Sequence, residues 1–390
     1  MQKVTDLSLN AYSFETSMTK QLFIHLGIHK TGSTALQFFF AKNRERLKTM
    51  GICYPRSKYS HIAHHNMGWS YDLETWAVEN KIINQLRSPV EEWMDLIGDS
   101  REYGKVLLSS ETLSSAKSHV VHQIKELLSA HHVKLVIYLR RQDDMASSVL
   151  NEVIKDGTWR SIDLLRVPYN LNYLELVNRW AASFGKENVL IRPYESRQFY
   201  ENNIFSDFMY YTFGIHPLDG FIIPEGNPRP RLSRDALEYK RLINNLLLSR
   251  DDVNKFTDPL IEFSIKKQEM MIDKKNHLLS PKERMELLAR FSEGNAKIAE
   301  FYLGRRDRQL FYDPLPDLNQ EWAPCGGMTS DAVVEISCFL KEKHMGVFLL
   351  LNKAVSESLH SLSQEVRQAA HMLEPGFADL LSTNQSVENS

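Results

Sequence analysis

The chain is poor in several features that mark whole classes of protein. Its 390 residues contain only three cysteines, Cys53, Cys325 and Cys338, and no CxxC pair. Three isolated cysteines cannot build a disulfide framework, and they fit a reducing compartment. Long apolar runs are missing too. The longest candidate, GVFLLL at 346–351, falls far short of the roughly 18 residues that a membrane span needs. The first twenty residues lack the apolar core of a signal peptide, so a cytoplasmic location is expected. There is no excess of one charge: the formal net charge is -2. A global basic field for nucleic acid is therefore excluded, and any anion site must be built locally. No internal repeat and no low-complexity segment is visible.

What is present is ordinary globular composition, 43% hydrophobic and 25% charged, in a chain long enough for one large or two medium domains. Five short segments read as buried strands by apolar content and β-branching: QLFIHLG (21–27), GICYP (51–55), KVLLSS (105–110), KLVIYLR (134–140) and NVLIRP (188–193). Helical spacing lies between most of them. Leu36, Phe39, Phe40, Leu47 and Met50 form one stripe that Gly51 closes. Ile124, Leu127 and Leu128 mark a second helix, and Tyr173, Leu174, Leu176, Val177 and Trp180 a third. Alternating strands and helices predict an α/β fold, a three-layer sandwich around a parallel sheet. After about residue 231 the texture becomes long helical stretches. The segment 316–330 reads as a linker, 331–373 as a helical extension that offers an oligomerisation surface, and TNQSVENS at the end as a frayed tail.

In parallel sheets, ligands gather at the carboxyl ends of strands. Just past the predicted strand ends stand Lys30, the cluster His61/His64/His65, Glu111, Arg140/Arg141 and Arg192. Most are cations or potential bases, as an anionic ligand would require. The first of these loops, HLGIHKTGST (25–34), nearly matches a phosphate-binding loop. Backbone N–H groups of a glycine-rich turn at a helix start cradle phosphate oxygens, and Gly27 and Gly32 allow such a turn. Ser33 and Thr34 add hydroxyls. Ser33 stands where nucleoside triphosphatases carry their lysine, and the cation sits earlier, as Lys30.

HKTGST followed by LQ resembles the 5′-phosphosulfate loop of sulfotransferases that use 3′-phosphoadenosine 5′-phosphosulfate (PAPS). VIYLRRQDDMASSVL (136–150) is similar to that family's 3′-phosphate motif, with Arg140 at a strand end and Ser148 eight residues later. Arg140 would offer a bidentate fork and Ser148 a hydroxyl to the 3′-phosphate. NRERLKTMGICYP, HHNMGW, LLSSETL and YLELVNRWAASFGKENVLIRPYE are similar to text of the bacterial branch, so the likeness runs from about 20 to 310. It implies a sulfotransferase domain over 20–315, its P-loop core ending near 215. It also implies His29, Lys30, Thr31, Gly32, Ser33, Thr34, Arg140 and Ser148 as nucleotide contacts. The late glycine-rich loop of the eukaryotic cytosolic enzymes is not visible here, and NPRPRLS (227–233) is the only basic segment nearby.

The resemblance implies transfer of a sulfuryl group from PAPS to a hydroxyl, of a carbohydrate or glycolipid, with release of 3′-phosphoadenosine 5′-phosphate (PAP). Lys30 would hold charge on the bridging oxygen. Glu111 is the first candidate for the base, as in carbohydrate sulfotransferases of this fold. His64 and His65 are its rivals, because simple-alcohol sulfotransferases use a histidine and imidazole has the better ordinary pKa. HIAHHN also has the look of a metal site but lacks a cysteine or carboxylate at ligand spacing, so no metal is expected. Trp69, Tyr71, Trp76 and Trp159 are aromatic platforms for a sugar or, equally, core. Two readings of other classes stand beside this one: a P-loop nucleoside or nucleotide kinase using ATP and Mg²⁺, and a non-catalytic nucleotide-binding scaffold. The kinase lacks its lysine after Gly32 and a strand ending in Asp.

Overall fold

A computed structural model describes residues 19–71, 86–98, 100, 102–157, 171–225, 230–269, 278–320, 322, 328–361, 364 and 366–374. Trp76, Trp159, residues 227–229 of the basic segment, most of 321–327 and the final tail lie outside the described residues. The chain divides into two compact units. One comprises residues 1–139, 174–225 and 300–305, the other 140–173, 226–299 and 306–390.

The first unit is built on a parallel five-stranded sheet in the order β2-β3-β1-β4-β5. Its strands are β1 (Gln21–Leu26), β2 (Ile52–Cys53), β3 (Lys105–Ser110), β4 (His132–Leu139) and β5 (Val189–Pro193). This confirms the predicted α/β class with a parallel central sheet. All five predicted strands form, although GICYP contributes only two residues. Strand residues on both faces are buried: Phe23, Leu107, Val136 and Tyr138 on one, Leu22, Ile24, Val106, Leu135 and Ile137 on the other. Burial on both sides explains the continuous apolar runs, because helices cover each face.

On one face, helices α1 (Ser33–Lys42) and α2 (Arg44–Thr49) share an aromatic-rich core with Phe205, Phe208 and Met209. The predicted single helix over 36–50 is broken at Asn43. Its side-chain amide donates to Phe39 O and Ile222 O, both at 2.8 Å, and accepts from Ile222 N at 2.7 Å. An asparagine that offers the backbone such partners competes with the helical ladder. Gly51, at φ 74, then closes α2.

Further helices of this unit are α3 (Asn66–Trp69), α4 (Pro89–Gly98) and α5 (Ser118–Leu127). In the second unit, α6 (Gln142–Lys155) contributes Leu150 and Ile154 to a core completed by residues from 232 to 373. α7 (Tyr173–Phe184) precedes β5, and α8 (Ile204–Phe213) follows it in the first unit. α9 (Arg234–Ile243), α10 (Arg250–Asn254), α11 (Thr257–Glu269), α12 (Pro281–Leu303), α13 (Ser330–Lys343) and α14 (Met345–Leu359) supply the helical texture read from the sequence. Among the described residues no helix is long and apolar enough to cross a membrane.

Candidate functional site

In a 2-3-1-4-5 sheet the connection from β1 to β2 and the connection from β3 to β4 run in opposite directions, so the loops after β1 and β3 open at a switch point. The two strands run in register, His25 opposite Ser109 and Leu26 opposite Ser110. Gly27 N then donates to Ser110 O at 3.0 Å, which ties the start of the loop to the end of β3.

Glycine is required at 27 because two side chains close on it. A β-carbon there would lie 2.8 Å from Ser33 Oγ and 2.9 Å from Glu111 Cγ. Glu111 therefore stands against the foot of the loop, where the sequence placed it relative to the strand end. The loop crest turns through two left-handed residues, Lys30 at φ 65 and Gly32 at φ 77. For lysine that conformation carries strain, and such strain gathers at ligand-binding turns. Gly32 caps α1 without a side chain, so the first-turn N–H groups meet no capping oxygen from it. The inner side of the loop is tied by hydroxyls: Thr31 Oγ1 donates to Ile28 O at 2.6 Å and Ser33 Oγ to the same oxygen at 3.1 Å. Thr31 and Ser33 are buried, whereas Lys30 and Thr34 are half-buried. Thus Thr31 and Ser33 brace the turn with their side chains.

His29 is directed at the carboxylate, its Nδ1 3.0 Å from Glu111 Oε2, with both side chains partly screened from solvent. Below them His25 is fully buried. Its Nδ1 lies 2.9 Å from Ser109 Oγ, and Nε2 has no hydrogen-bond partner. Burial lowers its pKa to about 4, opposed by the charge of Glu111. Gln37 Nε2 also donates to Ser109 Oγ, at 3.3 Å.

The histidine triplet separates in space. His61 is exposed, and its carbonyl accepts from Arg44 at 2.8 Å. His64 is fully buried, its Nδ1 accepting from Ser109 N and its Nε2 donating to Pro55 O, both at 3.0 Å. Burial lowers its pKa to about 4. An imidazole with both nitrogens engaged and no exposure is a poor proton acceptor for a substrate, and its visible work is to join β3 to the chain after β2. His65 is half-buried, with Nδ1 3.3 Å from Ser110 Oγ and its ring against Trp69. Ser110 Oγ in turn lies 2.7 Å from Thr112 Oγ1. Trp69 is buried, as the core reading of it required. Among the described residues no group of three His, Cys, Asp or Glu side chains is arranged to hold a metal ion.

Two cations read from strand ends prove to be internal ties. Arg192 is buried and grips Asp207 of α8 through Nε at 3.0 Å and Nη2 at 2.6 Å, with its guanidinium 3.7 Å above Tyr211. Tyr138 OH donates to the same carboxylate at 2.6 Å. In the second unit Arg141 forks onto Asp143 at 2.8 and 3.0 Å and reaches the carbonyls of Asp313 and Pro314. Arg284 adds a bond to Asp143 at 2.8 Å. Burial works to raise the Asp143 pKa, but the two guanidinium groups hold it below the ordinary carboxylate value.

In that same unit Arg140 is half-buried and Ser148 buried on α6. Arg231 Nη2 contacts Ser148 Oγ. Ser147 Oγ and Tyr173 OH are buried without hydrogen-bond partners, and Tyr173 feels the charge of Arg140.

No family profile matches the chain. A protein of Archaeoglobus fulgidus described only as uncharacterized is 26% identical over 209 residues, 52% of this chain and 55% of its own. The chain therefore matches about half the length of that relative. Among solved structures, a sulfotransferase from Alicyclobacillus acidocaldarius aligns with a TM-score of 0.37 and 16% identity, covering 62% of this chain and 95% of its own.

Three features escaped the sequence reading: the His29–Glu111 contact, the pairing of Arg141 with Asp143 and Arg284, and the joining of Arg231 to Ser148. Only the last had a local signal, the basic run NPRPRLS.

Proposed function

We propose that the chain is a sulfotransferase that moves a sulfuryl group from PAPS to a hydroxyl of an acceptor, a carbohydrate or glycolipid, and releases PAP. One observation carries the reading. At the switch point of the sheet a phosphate-type loop holds a lysine on its crest, and a carboxylate, Glu111, packs against Gly27 at its foot. A cation for the leaving oxygen and a base for the attacking hydroxyl are the two groups that in-line sulfuryl transfer needs.

Each unit, taken by itself, carries groups of the kind such a donor needs. The uncapped start of α1 offers N–H groups to a 5′-phosphate. Arg140 and Ser148 would take the 3′-phosphate, and Arg231, already on Ser148, adds a second fork. The orphaned hydroxyls of Ser147 and Tyr173 show unmet polar demand in the same unit. When bound, PAPS supplies the sulfuryl group: an acceptor oxygen bonds to sulfur while the bond to the nucleotide phosphate breaks, its electron pair leaving on the phosphate oxygen. Lys30 would hold that developing negative charge. Glu111 would take the acceptor proton, with His65 as the rival base. His64 would orient the end of β3.

The test uses Arg140→Ala. Binding of PAP should weaken by about 2 to 4 kcal/mol through loss of a charge-assisted fork. Binding of adenosine 5′-phosphosulfate, which has no 3′-phosphate, should change little. Equal losses for both ligands would make Arg140 a structural residue.

A further inference from the structure

His29 stands in the loop beside Lys30, where nucleotide contact is the simple expectation. Its imidazole instead meets the carboxylate: Nδ1 lies 3.0 Å from Glu111 Oε2. An ionised carboxylate only accepts, so the proton of this bond belongs to Nδ1. The loop backbone fixes both partners. Gly27 N is held by Ser110 O, the residue before Glu111, and Glu111 Cγ rests against Gly27 Cα with no room for a methyl group. The carboxylate is thus confined on one side by the loop and gripped at one oxygen by the imidazole.

We propose that His29 is a positioning residue for Glu111: through Nδ1–H it holds Oε2 and sets the plane in which the carboxylate meets the acceptor hydroxyl. The role of His29 is then in proton transfer and not in nucleotide affinity. A base must sit within hydrogen-bond reach of the proton that it takes, and a carboxylate free to rotate loses that geometry. This inference rests on the sulfotransferase reading.

Three measurements test it. The first is independent of activity: ¹H–¹⁵N spectra of the histidine side chains should show His29 protonated at Nδ1 in the native protein. That signal should disappear in Glu111→Ala. A native His29 protonated only at Nε2 overturns the proposal. The second is affinity for PAP, which His29→Ala should leave within about twofold. The third is turnover with water as acceptor, in which one PAPS and one water give one PAP, one sulfate and two protons. His29→Ala should lower kcat at least tenfold, a fraction of the roughly 10²- to 10⁴-fold that a positioned base contributes. His29→Asn, whose amide N–H occupies nearly the place of Nδ1–H, should return it to within about threefold. Weakened PAP binding with unchanged kcat makes His29 a nucleotide contact and overturns the proposal, as does a His29→Ala enzyme with native kcat. A native protein that neither binds PAP nor consumes PAPS instead refutes the sulfotransferase reading, and the inference falls with it.

Discussion

Two buried histidines should make this protein lose stability in mild acid, beyond what its carboxylates explain. His25 and His64 are both fully buried, and burial lowers each pKa from 6.5 to about 4. In the unfolded chain the imidazoles bind protons near pH 6.5, whereas in the folded protein they stay neutral until about pH 4. Between those values the unfolded state holds more protons, so stability falls as pH falls. Above pH 6.5 the contribution is complete; below about pH 4 it is gone. At 1.36 kcal/mol per pH unit, each histidine contributes up to roughly 3 kcal/mol across the window. That is a large share of the ~5 to 15 kcal/mol typical of a domain. The assay is urea unfolding at half-unit steps from pH 7 to 4, for the native protein, His25→Gln and His64→Gln. Glutamine cannot titrate, and the carboxylates are common to all three proteins. Each variant should start less stable, yet lose roughly 2 to 3 kcal/mol less than the native protein over the window. Parallel curves, within about 0.5 kcal/mol, would refute the claim that these imidazoles are neutral in the folded state.

Further outcomes follow from the site. Glu111→Gln should keep PAP affinity and cut kcat by about 10²-fold or more, while His65→Ala should retain activity. A dead His65→Ala beside an active Glu111→Gln would reverse the assignment of the base. Gly68→Ala should cost about 1 to 3 kcal/mol, because its methyl carbon would stand 2.6 Å from Thr112 Cβ and 1.9 Å from Thr112 Oγ1. Undiminished stability in thermal unfolding would show that α3 does not press on residue 112 in solution.

The strands and the loop were legible because their physics is local. A strand buried on both faces writes itself as a run such as KLVIYL, and a turn that needs left-handed residues advertises glycine. What was hidden depends on partners distant in sequence. Arg192 looks like a ligand cation until Asp207 on α8 closes on it, and Arg141 until Arg284 joins it at Asp143. In HIAHHN three like residues stand together, yet the backbone turns His61 outward and His64 into the core. No spacing rule separates them. That Glu111 follows a strand end was visible in the sequence, but its contact with His29 required the register of β1 against β3.

In the proposed function the nucleotide carries a 3′-phosphate and binds without a metal. Thermal unfolding with PAP, or with ATP and Mg²⁺, tests it most directly, because a ligand that binds only the folded state must stabilise it. At a hundred times its Kd such a ligand contributes about 2.7 kcal/mol. A clear rise in Tm is expected with PAP in the presence of a chelator, and a much smaller one with ATP and Mg²⁺. A rise with ATP and Mg²⁺ and none with PAP would contradict it and make the loop that of a kinase.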